Sequence, residues 1–456
     1  EDSGFNFLAE NMRGWHCEDT ARSVMISLDA AGSRKAVFQL VDRPLKLKQA
    51  RIIEFAFMLT PSRPLNTAIS RFQAQDWQMW TGQYSKYFDY QDPKYAIHRA
   101  GEPSLFHYTT IVGTSPHSPD WNYWAQEWVF RTLGMVYADF PAKDLAQRNR
   151  GHYIAACLNS QSFLNFKTHQ IQFAFDFHDI HNYYYDLGVV QPCSNALHGC
   201  KWIDDFGREQ KSLPWRNARE YMRRTAQILH NRHPDGLISV HANVQRLAPI
   251  LSFVDIFVGG EDFVPEVGAK GNYYDLVNSE VLRCYSLPLG LVSKNLFIPQ
   301  FARALEFVNP AKKFIASEPE NQRAVRHLLT LLLAHDYDVF GGSALYSFKT
   351  EFGWDTNTTF IPYWKKHGLW KIKNHRADKI VLSAFTRPEG RAVLAMVNDA
   401  DTMESFSLEL DCNALIGKNA PTVIKDVYIP KNQYSFANGS IKMQLGPREG
   451  RILILE

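Results

Sequence analysis

The sequence predicts an α/β fold: a (β/α)8, TIM-type barrel flanked by an N-terminal, partial β-sandwich segment and a C-terminal β-domain. Three observations predict it. Between residues 65 and 376, apolar strand-like runs alternate with segments of helical spacing, the pattern of βα units. On either side, in residues 1–64 and 377–456, the helical spacing stops and only strand-like runs with turn residues remain. At 456 residues the chain exceeds one ordinary domain, so a large barrel with appended modules fits its length.

In residues 1–64 the runs Ser23–Leu28, Ala36–Val41 and Arg51–Leu59 read as strands. Three or four strands are too few to close a sandwich. The segment therefore reads as the C-terminal part of a β-sandwich, completed by a missing N-terminal stretch or by another chain, a homo-oligomer included. Thr60-Pro-Ser-Arg-Pro64 is a stiff exit from it. In residues 65–376 the candidate strands are Leu105–Val112, Tyr183–Asp186, Leu237–His241, Asp255–Glu261, Asn295–Pro299 and Tyr337–Gly342. Helical spacing marks Trp215–His230 and Pro319–Ala334, the second preceded by a capping box, Ser317 with Glu320. A doubly wound sheet is the runner-up, and no G-x-G-x-x-G follows a strand to support it. In residues 377–456 the runs Lys379–Phe385, Arg391–Val397, Met403–Leu410 and Arg451–Leu455 make the C-terminal β-domain.

Composition excludes several functions. A net charge of +3 with dispersed Lys and Arg argues against a nucleic-acid partner. No apolar run approaches the ~18 residues a membrane span needs. No Walker loop, serine nucleophile elbow or H-E-x-x-H occurs, and no cofactor is implied. Aromatic residues make up 13% of the chain, an excess that favours stacking on sugar rings. Six cysteines are widely spread, and only Cys193 and Cys200 lie close together. Cys193, His198 and Cys200 offer three zinc ligands, but no fourth follows at finger spacing, so a disulfide is favoured and no metal is assigned. With the sequons Asn357-Thr-Thr and Asn438-Gly-Ser, this points to a secreted or periplasmic protein.

The candidate chemistry lies at strand ends. Asn182-Tyr-Tyr-Tyr-Asp186 is a short aromatic strand that ends in a carboxylate and runs into a Gly/Pro/Cys/His loop. In a parallel barrel such an acid points into the mouth where the βα loops gather. Glu261 and Asp262 end another candidate strand, and Gly259 and Gly260 let its backbone turn tightly. Two carboxyls flanking a glycosidic bond are what its hydrolysis needs. His198, Asn195 and His241 are candidate substrate-binding or acid-orienting groups. Tyr184, Trp77, Trp80, Trp121 and Trp124 are candidate sugar platforms, although at helical spacing half of such aromatics belong to a core. Glu318 is explained by its capping box, and Asp204, Asp205 and Gly207 read as a turn rather than a calcium loop.

With these residues in place the chain resembles a bacterial family known mostly as an uncharacterised glycoside hydrolase domain. More distantly, it is similar to β-N-acetylgalactosaminidases with a sandwich-plus-barrel plan. The resemblance rests on Phe55-Ala-Phe-Met-Leu-Thr-Pro-Ser-Arg-Pro64, on Tyr184-Tyr-Asp-Leu-Gly188 with Cys193-x-Asn-x-x-His-Gly-Cys200, on Gly260-Glu-Asp262, and on the last β-domain. It implies Asp186 at a fourth barrel strand and Glu261 at a sixth. That placement is also similar to retaining α-galactosidase-type barrels, where these positions are nucleophile and acid/base. The galactosaminidases use an adjacent Asp-Glu pair; here the order is Glu261-Asp262, reversed. The expectation is a glycoside hydrolase acting on a polysaccharide or glycan. Asp186 is its nucleophile or stabiliser, Glu261 its acid/base, and Asp262 its alternate. A non-catalytic carbohydrate-binding or structural barrel and a metal-dependent hydrolase are the competing expectations.

Overall fold

The computed structural model describes residues 4–71, 78–81, 105–114, 119–131, 154–178, 180–186, 188–242, 245–277, 279–285, 291–340, 343–373 and 379–456. The chain opens with two antiparallel pairs. β1 (Gly4–Leu8) lies against the last strand of this segment, β4 (Ala56–Thr60), and β2 (Val24–Leu28) forms a hairpin with β3 (Arg34–Phe38). Their apolar side chains are poorly covered: Phe5, Ile26, Leu28, Phe57 and Leu59 are all exposed.

The chain then alternates strands with helices. β5 (Gln78–Thr81) and β6 (Leu105–Thr110) are followed by a small antiparallel pair, β7 (Gly113–Thr114) with β8 (Ile154–Ala155). β9 (Asn182–Asp186) comes next, then a hairpin of β10 (Trp202–Ile203) with β11 (Glu209–Gln210) around the Asp204–Gly207 turn. β12 (Ile238–His241), β13 (Ile256–Gly259), β14 (Lys294–Phe297) and β15 (Asp338–Val339) complete the series. Seven of these strands form one sheet in the order β15-β14-β13-β12-β9-β6-β5, and every pair is parallel. Neighbours in this sheet are also neighbours in sequence, so every crossover steps the same way. A doubly wound sheet reverses its order part-way; the described strands of this one do not.

Side-chain alternation divides the sheet. Ile69, Phe106, Tyr184, Ile256, Val258 and Leu296 form one apolar cluster on the face away from the long helices. Tyr183, Tyr185, Val240 and Phe257 point the other way. The Tyr185 hydroxyl lies 3.0 Å from the Thr225 hydroxyl, and its ring meets Tyr221 edge-on, both on the helix Trp215–Arg232. The tyrosine triplet is thus split, and only Tyr184 shares the face of Asp186.

A buried ionic group joins β14 to β15. The Asp338 carboxylate lies 3.0 Å from both Lys294 Nζ and Lys349 Nζ. Burial alone would raise its pKa, but the two ammonium groups hold it well below the usual carboxylate range.

The helix Pro319–Leu333 has Glu318 at its N-cap, without a side-chain capping bond. The expected Ser317–Glu320 capping box is therefore absent, and Ser317 instead offers its carbonyl to Gln322. This helix carries the last β-unit, burying Leu328, Leu329 and Leu332 in a cluster that includes Val393, Ala395, Ile452 and Ile454. That unit begins earlier than the sequence pattern suggested. Its five-stranded sheet takes β16 (Thr359–Ile361) at one edge, and its four-stranded sheet takes β17 (Trp370–Lys373). The central strands are β18 (Ile380–Arg387), β19 (Arg391–Asn398) and β20 (Glu404–Leu410), completed by β21 (Ile424–Asp426), β22 (Phe436–Ala437), β23 (Ser440–Leu445) and β24 (Gly450–Leu455). Among the described residues, no helix is long and apolar enough to cross a membrane.

Candidate active site

Three adjacent parallel strands deliver the site. Asp186 is the last residue of β9, His241 the last of β12, and Glu261 follows β13 by two residues. The register Tyr185↔Val240 sets Asp186 beside His241, because parallel strands in register end at the same level. β9 and β13 are the third and fifth of the seven described strands, so the two acids stand two strands apart with the imidazole between them.

His241 Nδ1 lies 3.2 Å from Asp186 Oδ1, and its Nε2 lies 3.6 Å from Glu261 Oε2. Nε2 is buried and has no hydrogen-bond partner, since 3.6 Å is beyond bonding reach. The His241 side chain is only 8% exposed, whereas those of Asp186 and Glu261 are 18% and 27% exposed. The ring is held inside, and the carboxylates reach outward past it. An imidazole spans little over 2 Å between its nitrogens, so the oxygens it joins are at most roughly 9 Å apart, within reach of one glycosidic bond.

Glu261 is aimed by its neighbours. Gln300 Nε2 donates to Oε1 at 3.1 Å, and Arg303 forms an ion pair with the same oxygen. This leaves Oε2 on the His241 side. The strand reaches Glu261 through Gly260, whose φ of +110° is left-handed. A Cβ there would stand 2.8 Å from the Ile298 carbonyl oxygen, so the position needs glycine twice over. Asp262 acts on a different cation. Its charge is felt by Arg246, whose guanidinium lies over the rings of Phe257 at 3.8 Å and Tyr285 at 4.0 Å and bonds Asn295. Burial lowers the Arg246 pKa.

Several predicted substrate contacts lie elsewhere. Tyr184 is buried beneath Asp186 in the apolar cluster of the sheet, and Trp121 is buried in the core against the helices, because both sit on strand or helix faces that turn inward. Neither presents a face to a sugar. Trp124 is exposed and meets Tyr123 edge-on. Trp77 lies outside the described residues, as does the side chain of Trp80 in β5.

Asn195 and His198 belong to a second constellation. Cys157, Cys193, His198 and Cys200 bring their four ligand atoms within 4.8 Å of one another. All six cysteines of the chain are free thiols, so the expected Cys193–Cys200 disulfide is not formed, and its support for export falls away. Asn195 is buried. Its Oδ1 accepts from Leu197 N–H at 3.0 Å and caps the short turn Ala196–His198, while its Nδ2 donates to the carbonyls of Gln126 and Val129. These bonds use both ends of the amide, which holds the loop. His198 Nδ1 lies 2.9 Å from the Glu127 carbonyl.

No protein-family model matches the chain, and no curated protein matches it. Solved structures do. An α-amylase from Anoxybacillus shares 10% identity at a TM-score of 0.42, covering 77% of this chain and 75% of that one. A GH27 β-L-arabinopyranosidase from Geobacillus stearothermophilus shares 10% at 0.42, covering 72% and 67%. A debranching enzyme from Nostoc punctiforme shares 12% at 0.41, covering 83% of each chain. At these TM-scores and identities the likeness carries no argument about activity, which rests on the site alone.

Gln300, Arg303 and Cys157 do not stand out in the sequence as functional residues. The first two follow β14 by a few residues, where βα loops collect, and that position was their one signal. Cys157 stands 36 residues before Cys193, too far for any spacing rule.

Proposed function

We propose that the chain is a glycoside hydrolase whose parallel sheet closes as a (β/α)8 barrel, with the reaction run between Asp186 and Glu261. The observation that carries the reading is the placement of two partly exposed carboxylates at the ends of β9 and β13, joined through one buried imidazole. The one-way strand order supports closure, because strands added always on the same side of a twisted sheet curl toward its first edge. In this reading Glu261 protonates the leaving oxygen and later takes a proton from water. Asp186 attacks or stabilises the anomeric carbon as it gains positive charge. His241 fixes the Asp186 carboxylate through Nδ1, and Gln300 and Arg303 fix Glu261 through Oε1. The substrate is a polysaccharide or glycan, with Trp124 offered as a platform.

The test is release of reducing sugar or aryl aglycone from a panel of aryl glycosides and of neutral, amino-sugar and sulfated polysaccharides. Turnover of one member by the wild-type chain supports the reading; absence of turnover across the panel, with binding of a member retained, favours a carbohydrate-binding barrel.

A second reading is favoured by the Asp186–His241 contact with its unpartnered Nε2. A carboxylate that orients one ring nitrogen leaves the other as a general base. His241→Asn, whose amide nitrogen can stand in for Nδ1 at Asp186 while Nε2 is removed, separates the two. Near-complete loss of turnover assigns the proton transfer to the imidazole, whereas a modest loss leaves it with the carboxylates.

A further inference from the structure

The four groups Cys157, Cys193, His198 and Cys200 bring their ligand atoms within 4.8 Å of one another, and their geometry is that of a metal cage. We propose that they bind one zinc ion in a closed, structural Cys3His site. Zinc with Zn–S about 2.3 Å and Zn–N about 2.0–2.1 Å in a tetrahedron sets sulfur–sulfur edges near 3.8 Å and sulfur–nitrogen edges near 3.5 Å. The Cys157 and Cys200 sulfurs lie 3.8 Å apart, and Cys193 Sγ lies 3.2 Å from His198 Nε2. A disulfide needs sulfurs about 2 Å apart and would use two of the four groups.

The surroundings fit ligands rather than idle thiols. The Glu127 carbonyl can only accept, so His198 Nδ1 carries the ring proton, and the lone pair of Nε2 faces the sulfurs. Two sulfurs receive N–H donors: Asn195 N–H points at Cys193 Sγ at 3.4 Å, and Asn159 Nδ2 at Cys200 Sγ at 3.3 Å. Such donors offset the excess negative charge that three thiolates bring to one Zn²⁺. The three cysteines are buried, and Phe130 packs on them. Gly199, left-handed at φ +73°, lets His198 and Cys200 turn back on the same point. With four protein ligands the coordination shell is full, which is the structural rather than the catalytic form of a zinc site. Zinc here would tie the segment after β8 to the loop that leaves Asp186.

The proposal stands whether or not the chain cleaves glycosides. The test is metal and thiol content of the full chain purified without chelator. About one zinc per chain is expected, with six thiols reacting once the protein is denatured in chelator. Cobalt exchanged into the site should show the ligand-field bands of tetrahedral Co(II) with thiolate charge transfer. Cys157→Ser with Cys193→Ser should lose the zinc, Cys284→Ser should keep it, and His198→Cys should keep it with stronger thiolate-to-cobalt absorption. Less than about a tenth of an equivalent of zinc after refolding with zinc would overturn the proposal. Two missing thiols would also overturn it, as would full zinc retention by the Cys157/Cys193 double variant. If the serine variants do not fold, the wild-type zinc and thiol counts and the His198→Cys spectrum still decide.

Discussion

Gly260→Ala tests how β13 delivers Glu261. An alanine there keeps a left-handed φ of +110°, which costs an L-residue about 1–2 kcal/mol. Its Cβ would also meet the Ile298 carbonyl oxygen at 2.8 Å, the Ile298 nitrogen at 2.9 Å and the Phe297 ring at 3.0 Å. Those atoms cannot retreat cheaply, because Ile298 N–H is bonded to the Gly259 carbonyl at 2.8 Å. Overpacking of this kind adds about 1–3 kcal/mol, so the total is about 2–5 kcal/mol. Gly207→Ala supplies the control: its φ is +75° and no atom lies within 4 Å of the added Cβ, so only the backbone term applies. In thermal unfolding followed by circular dichroism, Gly260→Ala should melt roughly 2–5 °C below wild type, and Gly207→Ala about 1–2 °C below. Once a substrate is in hand, turnover should fall far more in Gly260→Ala, because an ångström of displacement at a reacting group costs on the order of 100-fold. A Gly260→Ala protein no less stable and no less active than Gly207→Ala would show that the tight turn at Gly260 does not position Glu261.

Two further outcomes follow from buried charge. Asp338→Asn leaves the Lys294 and Lys349 ammonium groups buried without their carboxylate, and urea unfolding should show a loss of about 3–5 kcal/mol at neutral pH. Because the folded-state pKa of Asp338 is depressed, its stabilisation is present above the unfolded value near 4 and fades as pH falls below it. The variant should therefore lose less stability than wild type between about pH 5 and 2; equal losses would sink the assignment. Lys167 is buried with the Gly113 carbonyl at 3.1 Å, and burial lowers its pKa to about 7. Between that value and an unfolded pKa near 10.4 the unfolded chain holds the proton and the folded chain does not, so stability rises with pH over about 7–10. Lys167→Met should flatten that rise and be the more stable protein at pH 6, as read from urea midpoints; an unchanged slope would show that Lys167 is not its source.

Much of the fold could be read from the residues, and the reason is physical. The runs around Tyr183–Asp186, Leu237–His241, Asp255–Glu261 and Asn295–Pro299 are buried on both faces, so they stay apolar over their length and stand out. β5 did not stand out, because Gln78-Met-Trp-Thr81 is short and mixed, and β16, β17, β21 and β22 are short strands at sheet edges. Asp186, His241 and Glu261 were visible as strand-end polar residues. That His241 stands between the acids was not, because it depends on register across three strands. The cysteine site shows the limit most clearly. Three ligands sit within eight residues, yet the fourth, Cys157, is brought in only by the fold. Without it, a disulfide was the better reading of the spacing.

In the proposed reaction Asp186 and Glu261 together cleave a glycosidic bond. The most direct measurement is steady-state turnover of wild type, Asp186→Asn and Glu261→Gln on the best substrate of the glycoside panel, with circular dichroism on each. Either substitution should lower kcat by at least about 100-fold in a chain that folds as wild type does. Wild-type turnover in both variants would show that these two carboxylates do not carry the reaction.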